Sequence, residues 1–228
     1  IRDMEVHEGQ FVFLTDKHVL SNAWAGRFLA SHKMRAAERL AMGTAFDFLV
    51  AGSERVACFR GPDAVRELST EGGVRQAVFD PVRKQFLVLT ETALWRVTSA
   101  GEQAAVFRHG QMNCLALTDE DSWIGTSNGY LRLDRRSFEQ RSDIETKVPC
   151  TEILCIRPIG DKTWFGTPRG AFAMNRDGTI DYYASNRWLV DDAVIDIAPG
   201  PDGSVLILSK TGLSIIHFEP MTLAGKAE

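Results

Sequence analysis

The sequence has little of what marks most enzymes, membrane proteins and nucleic-acid-binding proteins. Its 228 residues carry 26 Lys and Arg against 30 Asp and Glu, a formal net charge of −4. It therefore lacks the basic surplus that broad contact with nucleic acid or anionic lipid requires. No apolar run approaches the roughly 20 residues that span a bilayer. Because hydrophobic residues make up an ordinary 44% of the chain, we expect a folded domain with no nucleic-acid partner and no membrane insertion.

Residues that bind metals or catalyse reactions are also scarce. Four cysteines are too few for a disulfide framework at this length, and Cys150 and Cys155 do not have the spacing of a zinc knuckle. The five histidines form no His-x-His or His-x-x-x-His pair. Neither a Gly-rich phosphate loop nor a Gly-x-Ser-x-Gly elbow occurs. The sequence therefore predicts no catalytic residue, no metal site and no cofactor.

What the sequence does contain is a repeat. An apolar, strand-like segment that ends in Thr, Ser or Gly occurs six times, and the copies end at intervals of 36 to 42 residues. The six copies occupy residues 11–15, 48–52, 86–90, 122–126, 163–167 and 205–209. Because units of this length cover nearly the whole chain, the repeat defines the fold rather than a local motif.

The surroundings of each copy predict four antiparallel strands per unit. An apolar segment and a turn such as Asp202-Gly203 come before the copy, and a third strand and a more polar fourth strand follow it. Radial stacking of such sheets buries both of their faces and leaves only short edges exposed. The sequence therefore predicts an all-β, six-bladed β-propeller. Seven blades, or a ring that is incompletely closed, are the competing architectures.

The predicted propeller covers residues 1–220, with blades that begin near residues 1, 43, 74, 111, 151 and 193. One stretch, residues 31–42, is helix-like but fits an outer strand and loop equally well. Residues 221–228 are expected to form a C-terminal tail that leads to a further domain. They are a poor outer strand for the last blade, so either residues upstream of the sequence supply that strand or the blade keeps three strands. Because the chain opens at Ile1 and not at Met, we expect a processed or excised segment.

Two of the copies carry a more specific pattern, Trp-x-Gly-Thr-x-x-Gly. It occupies residues 123–129 and 164–170, and a degenerate copy ends at Gly212. This pattern resembles the two-component regulator propeller repeat over about residues 111–216. Residues 1–110 depart from the family, because other residues hold the position of the final Gly. These residues are His18, Arg55 and Ala93.

The resemblance implies a propeller in a ligand-sensing or accessory role. Proteins with such repeats include periplasmic sensor regions of bacterial hybrid histidine kinases and propellers attached to polysaccharide-acting enzymes, which implies a periplasmic or extracellular location. It implies no catalytic residue, because each position of the pattern has a structural explanation. The first Gly permits close approach of adjacent blades, the Thr hydroxyl binds a backbone group, and the second Gly permits a positive φ.

A ligand site is expected where the inter-blade loops and the bends after the second strands gather around the axis. Ligand sites are concave and need a few convergent polar or aromatic groups. Arg and aromatic side chains suit carbohydrate or uronate, because guanidinium forks pair with carboxylates and rings stack on sugars. The candidate ligand-binding residues are Arg187, Trp188, Asp191, Asp192, Lys147, Arg141, Arg169, Asn128 and His109. For Trp188, packing into the seam between the fifth and sixth blades is the alternative.

Two cysteines lie at corresponding places in neighbouring units. Cys114 and Cys155 each precede the first Gly of a Trp-x-Gly-Thr motif by eleven residues, so we expect them at equivalent heights on neighbouring inner strands. A disulfide between them is conceivable only at a Cα separation of about 4.4–6.8 Å, and free thiols are favoured.

The sequence favours a non-catalytic module that senses a ligand or docks a protein. Its partner would be a small molecule, a glycan, or a protein domain in the same or another chain. A polysaccharide lyase or glycosidase with its active site at one axial face is the first alternative. A purely architectural accessory domain is the second.

Overall fold

The described part of the chain forms β-strands, turns and a short 3-10 helix at Pro201–Gly203. The computed structural model describes residues 1–7, 9–15, 18–21, 37–44, 47–53, 55–60, 63–185 and 187–218. Within these residues the strands form six antiparallel sheets. No helix in the described part of the chain is long and apolar enough to cross a membrane. The predicted all-β class is confirmed.

In every sheet, strands that follow one another in the chain pair antiparallel, and the first strand is the innermost. The strands of sheets one to three are β1 (Asp3–His7), β2 (Gln10–Leu14) and β3 (Val19–Ser21); β4 (Ala37–Met42), β5 (Asp47–Gly52), β6 (Arg55–Arg60) and β7 (Asp63–Ser69); and β8 (Val74–Asp80), β9 (Gln85–Thr90), β10 (Ala93–Thr98) and β11 (Gln103–Arg108). The strands of sheets four to six are β12 (Met112–Leu117), β13 (Asp121–Thr126) and β14 (Gly129–Asp134); β15 (Cys155–Ile159), β16 (Lys162–Thr167), β17 (Gly170–Met174) and β18 (Ile180–Tyr183); and β19 (Val194–Pro199), β20 (Val205–Ser209) and β21 (Gly212–Ile216).

The sheets follow one another around an axis. Along the chain, each inner strand contacts the inner strand of the next sheet, from β1 through β4, β8, β12 and β15 to β19. Five apolar clusters fill the five seams between consecutive sheets. The fifth sheet illustrates the pattern, because Phe165 packs towards sheet four and its chain neighbour Trp164 packs towards sheet six. Alternating side chains along one strand therefore serve two seams.

The structural explanation of the Trp-x-Gly-Thr motif is confirmed at the two full copies. The Thr126 hydroxyl donates to the carbonyl of Gly129 at 2.9 Å, and the Thr167 hydroxyl donates to that of Gly170 at 2.7 Å. The second Gly has a φ of 110° in the first copy and 115° in the second, where an L side chain would be strained. Gly212 of the degenerate copy lies outside the positive-φ region. The degenerate copy therefore keeps the glycine but not its left-handed backbone conformation.

The first Gly of each motif lies between a cysteine of its own sheet and a side chain of the next unit, and a Cβ atom on it would lie 2.5 Å from Cys114 Sγ at Gly125 and 2.4 Å from Cys155 Sγ at Gly166. A Cβ atom on Gly125 would lie 2.6 Å from Cγ2 of Ile153, and one on Gly166 would lie 2.7 Å from Cγ1 of Val194. Ile153 and Val194 both belong to the next unit of the chain. The structure therefore shows the lack of a side chain at these positions to be a condition for packing.

The four cysteines are free thiols, as the sequence favours. Cys114 pairs across from Gly125 and Cys155 across from Gly166, which confirms their equivalent heights. Burial raises the pKa of the Cys155 thiol to about 12 and also raises the pKa of Cys114. Neither thiol is therefore a nucleophile at neutral pH.

The second sheet begins earlier than expected. Its inner strand is β4 (Ala37–Met42), whereas the helix-like stretch there suggests an outer strand and loop and places the blade near residue 43. Ala, Glu, Leu and Met favour a helix in isolation, but burial of residues 40–42 overrides that preference. Residues 31–36 of that stretch, and the whole of 219–228, lie outside the described residues.

Three of the six sheets have three described strands and not the four that the repeat predicts. They are sheets one, four and six. In sheet four the segment that follows β14 runs beside it through two isolated bridges, Tyr130 with Glu145 and Leu133 with Gln140. In sheet five, the polar fourth strand that the repeat predicts is present as β18.

A buried ion pair joins sheets three and four away from the axis. Arg135 Nη2 lies 2.7 Å from Asp80 Oδ1, and both side chains are buried. Arg135 also donates to the carbonyl of Thr118, and the backbone N–H of Val82 donates to Asp80 at 3.0 Å. Because both charges have hydrogen-bond partners, removal of one would leave the other buried and unpaired.

Gly166→Ala should destabilise the fold, because the added methyl group has no space between Cys155 of its own sheet and Val194 of sheet six. We expect a loss of about 1–3 kcal/mol in the free energy of unfolding, measured by urea denaturation. Gly110→Ala is the control, since a Cβ there meets nothing within 4 Å. Equal effects of the two substitutions would contradict the close-approach explanation.

Asp80→Ala should lower the free energy of unfolding by about 3–5 kcal/mol, because it leaves the guanidinium of Arg135 buried without its partner. Glu71→Ala removes an exposed partner of Arg108 at a similar distance, 2.9 Å, and should cost less than about 1 kcal/mol. Thermal and urea unfolding of both variants would test this contrast, which fails if Asp80→Ala is as mild as the control.

Candidate functional site

The six inner strands line one cavity around the axis. Its volume is about 960 Å³, within the range of ligand pockets. Most of the lining comes from the inner strands, with Leu208 from the second strand of sheet six, so all six sheets contribute to it. This shared origin makes the cavity the first candidate for a functional site.

A repeated β-bulge shapes the cavity wall. The register between the inner and second strands shifts at the same place in four sheets, before Arg39, Gln76, Cys114 and Asp196. A bulge adds one residue to a strand and changes the direction of the side chains around it. The simple alternation of a strand therefore does not determine which residues face the axis here.

The lining is rich in charged and amide side chains. It contains four guanidinium groups, three carboxylates and two amides, together with apolar side chains. The polar residues are Arg2, Arg39, Arg75, Arg157, Asp3, Glu5, Asp196, Gln76 and Asn113. Such a surface suits a ligand that carries both charge and hydrogen-bonding groups.

Several of these side chains bind the next sheet. The backbone N–H of Leu40 donates to Asp3 Oδ2 at 2.8 Å, which connects sheets one and two. The N–H of Leu115 donates to Gln76 Oε1 at 2.8 Å and connects sheets three and four. Each of these backbone donors would otherwise need a partner at the sheet boundary.

The remaining sheet boundaries are bridged in a similar way. Arg39 Nε donates to the carbonyl of Arg75 at 3.0 Å, and Asn113 Nδ2 donates to that of Ile153 at 3.1 Å. Arg157 forms an ion pair with Asp196 at 2.8 Å between sheets five and six. A polar contact at the cavity wall thus joins every consecutive pair of sheets from one to six.

The carboxyl group of Glu5, in the cavity, has a raised pKa. Its pKa rises to about 7, because burial disfavours the charged form and the neighbouring Asp3 repels it, while Arg157 acts in the opposite direction. Sequence reasoning missed this residue. The available signal was the alternation of β1, which puts Asp3 and Glu5 on one side of the strand and Met4 and Val6 on the other.

The loop residues expected to bind a ligand lie outside this cavity. Arg187 and Trp188 form a cation–π pair at 5.1 Å and line a separate groove of about 420 Å³ at β21. The Trp188 ring meets that of Tyr183 edge-on at 5.5 Å, yet 43% of Trp188 remains exposed. Trp188 therefore touches the seam between sheets five and six without being buried in it.

The two aspartates of the same loop shape its backbone. Asp191 accepts the backbone N–H of Ala193 at 2.9 Å, a bond that lowers the pKa of its carboxyl. Asp192 accepts the N–H of Ser185 at 2.6 Å. Both carboxylates thus hold the loop that presents Arg187 and Trp188.

The other expected residues are dispersed. Arg141 forms ion pairs with Asp121 at 2.9 Å and Asp134 at 2.6 Å. His109 lies near the carbonyl of Gly110 and stacks on Phe107. Three more are exposed in loops or bends, namely Lys147, Arg169 and Asn128. Among the described residues, no group of three or more His, Cys, Asp or Glu side chains gathers as a metal ion would need.

Glu5→Gln should change how stability depends on pH. The folded state keeps the Glu5 proton up to about pH 7 and the unfolded chain loses it near 4.5, so this group's stabilisation is present below pH 4.5 and disappears as the pH rises through 7. Relative to wild type, the variant should gain about 1–2 kcal/mol of stability between pH 5 and pH 8, as judged by thermal unfolding. Glu102→Gln is an exposed control, and parallel pH profiles for all three proteins would contradict this prediction.

Comparison with known proteins gives the fold and no family. No family model matches the chain, and no curated protein matches it. Among solved structures, the extracellular domain of a putative hybrid two component system from B. thetaiotaomicron is similar with a TM-score of 0.73 at 13% identity, over 100% of this chain and 34% of that one. The chain thus spans about a third of the length of that protein.

Two shorter proteins are similar over most of their length. Streptogramin B lyase matches with a TM-score of 0.73 at 14% identity, over 93% of this chain and 77% of the lyase. The WD40 beta propeller domain of Doa1 matches with a TM-score of 0.65 at 12% identity, over 90% of this chain and 73% of that domain. At such identities the likeness concerns the fold alone, and six antiparallel sheets around an axial cavity have the architecture of a β-propeller.

Proposed function

We propose that this chain is a non-catalytic β-propeller domain that senses a ligand or docks a protein, with the axial cavity as the ligand site. The observation that carries the proposal is the convergence of four guanidinium groups and three carboxylates in one cavity of about 960 Å³. A concave polar site built from rigid strands positions its groups better than loops do. The repeats are, in this proposal, of the two-component regulator type.

The polar side chains of the lining already form hydrogen bonds and ion pairs with one another or with the backbone, which supports binding over catalysis. Asp3 accepts the backbone N–H groups of Leu40 and Met4, and Arg157 is paired with Asp196. Groups that hold neighbouring sheets together are poorly placed to exchange protons with a substrate. They instead present a fixed pattern of charge that a ligand can match.

Arg75 is the guanidinium best placed to accept a ligand anion. Its partner is Glu91 at 3.4 Å, and about half of each side chain is exposed, so this ion pair is weak. A carboxylate on a sugar or small metabolite can replace Glu91 with a bidentate contact. Uronates and other small organic acids are therefore the proposed ligand class. The groove at Arg187 and Trp188 is a second proposed contact surface for a glycan ring or a protein partner.

The location and the wider context are parts of the same proposal. A similar structure is the extracellular domain of a putative hybrid two component system, which supports a periplasmic or extracellular sensor. The Trp-x-Gly-Thr pattern of the sequence points in the same direction.

An enzyme is the second candidate, favoured by one observation. Asp3 and Glu5 lie in the cavity together, and the pKa of Glu5 is raised to about 7, in the range useful to a general acid. A polysaccharide lyase or glycosidase would use such a pair at one axial face. Turnover of a bound glycan, lost in Glu5→Gln, would favour this candidate over sensing.

A thermal-shift screen with uronic acids, neutral sugars and small organic acids tests the main proposal. A ligand at 100 times its Kd should add about 2.7 kcal/mol and raise the Tm by roughly 5–10 °C. Arg75→Gln should abolish the shift without lowering the Tm of the unliganded protein, while the exposed Arg176→Gln should leave it intact. Loss of the shift in Arg187→Ala or Trp188→Ala alone would move the site to the loop groove, and product formation detected by NMR would reject the non-catalytic role.

A further inference from the structure

Arg39 lines the axial cavity without an acidic partner. Its Nε donates to the carbonyl of Arg75 at 3.0 Å, and its Nη1 donates to the carbonyl of Glu38 at 3.0 Å. Among the described residues, no carboxylate forms an ion pair with this half-buried side chain. Carbonyl groups orient a guanidinium but carry no net charge, so its positive charge stays uncompensated. Such a group favours an anion supplied by a ligand.

Two other guanidinium groups of the cavity differ from Arg39 in this respect. Arg75 lies 3.4 Å from Glu91, and Arg157 lies 2.8 Å from Asp196. In both pairs a carboxylate of the protein already supplies the opposite charge. A ligand anion therefore has to displace a carboxylate at Arg75 or Arg157, whereas at Arg39 it displaces none.

Asp3 contacts the strand that carries Arg39, but its carboxylate binds backbone groups. Oδ2 accepts the N–H of Leu40 at 2.8 Å, and Oδ1 accepts that of Met4 at 2.9 Å. The next acid of β1 is Glu5, whose pKa of about 7 keeps it protonated in mildly acidic solution. At about pH 6 the four guanidinium groups of the cavity wall therefore outnumber its ionised carboxylates.

The backbone of β4 and the two carbonyl contacts fix the direction of the Arg39 side chain. The register between β4 and β5 shifts immediately before Arg39, and a bulge of this kind redirects side chains. The two hydrogen bonds use two of the five N–H donors of a guanidinium and leave three, two of them on Nη2. Because the group is already held in place, a contact with a carboxylate costs little further side-chain entropy.

Arg39 and Arg75 provide two guanidinium groups on adjacent sheets. Nε of Arg39 reaches the carbonyl oxygen of Arg75, so the two residues meet where sheets two and three join. Both line the same cavity of about 960 Å³. In the function proposed above, a ligand carboxylate replaces Glu91 at Arg75, and Arg39 adds a second place for one. An acid with a single carboxylate fills one of these places and leaves the other guanidinium without a ligand anion.

We propose that Arg39 is a specificity-determining residue of the axial cavity and that the preferred ligand is a small diacid, with one carboxylate at Arg39 and the other at Arg75. This inference rests on the proposed function and narrows its ligand class from small organic acids in general to dicarboxylates. Aliphatic diacids and sugar diacids share this chemistry and are separate arms of the test.

Matched pairs of acids test the proposal on the 228-residue protein. The pairs are succinate with butyrate, adipate with hexanoate, and glucarate with gluconate, so that each diacid has a monoacid of the same carbon skeleton. Binding is measured by isothermal titration calorimetry at about pH 6 and low ionic strength. In at least one pair the diacid should bind about 10–100 times more tightly than the monoacid, as one further charge-assisted contact provides.

Substitution of Arg39 should remove this preference. In Arg39→Gln the ratio of the diacid affinity to the monoacid affinity should fall to within about threefold of one, because a single guanidinium position remains. Arg39→Lys should restore part of the ratio, since it keeps the charge but not the planar fork. Arg96→Gln is the control and should keep the wild-type ratio, because Arg96 is exposed in β10 and does not line the cavity.

Three results would overturn the inference. In the first, the diacid and the monoacid of every pair bind the wild-type protein equally well. In the second, Arg39→Gln lowers the Tm but keeps the wild-type affinity ratio, so that Arg39 only bridges sheets two and three. Both of these results leave the proposed function intact, provided that acids bind and Arg75→Gln abolishes their binding. In the third, no acid of either kind binds, which would reject the proposed function together with this inference.

Discussion

The convergence of six strands on one axis is the constraint to which the rest of the structure responds. Where the strands converge, a cysteine of the same sheet and a side chain of the next unit together leave Gly125 and Gly166 no space for a side chain. The same convergence leaves backbone donors and acceptors at each sheet boundary, and side chains such as Gln76 and Asn113 satisfy them. The steric requirement and the hydrogen-bonding requirement of the sheet boundaries are thus both satisfied close to the axis.

This constraint also explains why the candidate site is polar. Side chains that bridge sheets at the axis must be long enough to reach a neighbour and must carry hydrogen-bonding groups, which selects Arg, Asp, Gln and Asn. Once they line a shared cavity, they form a fixed array of charge at no further cost in side-chain entropy. The side chains that bridge the sheets are therefore also the ones that line the proposed ligand site, whereas the Arg75 side chain pairs with Glu91 of its own sheet.

Sequence reasoning found what is local and repeated. The strands, the roles of Thr126 and Gly129, and the free thiols follow from short-range pattern. The inner position of β4 does not follow from such a pattern. Its residues favour a helix in isolation, and burial in the folded protein overrides that preference. Part of the cavity lining was missed because bulges in β4, β8, β12 and β19 interrupt the alternation on which a strand's facing is predicted. Pairings across many residues, such as Asp80 with Arg135 or Arg141 with Asp121, have no signature in the linear sequence.

The buried thiols of Cys114 and Cys155 have a consequence for how the protein behaves in oxidising surroundings. Each lies against a glycine at a seam, and its raised pKa keeps it protonated. Oxidants and alkylating agents attack the thiolate, so they can reach these sulfur atoms only when the sheets separate. The rate at which an added reagent modifies either cysteine thus reports how often these sheets separate, and no labelling site has to be introduced.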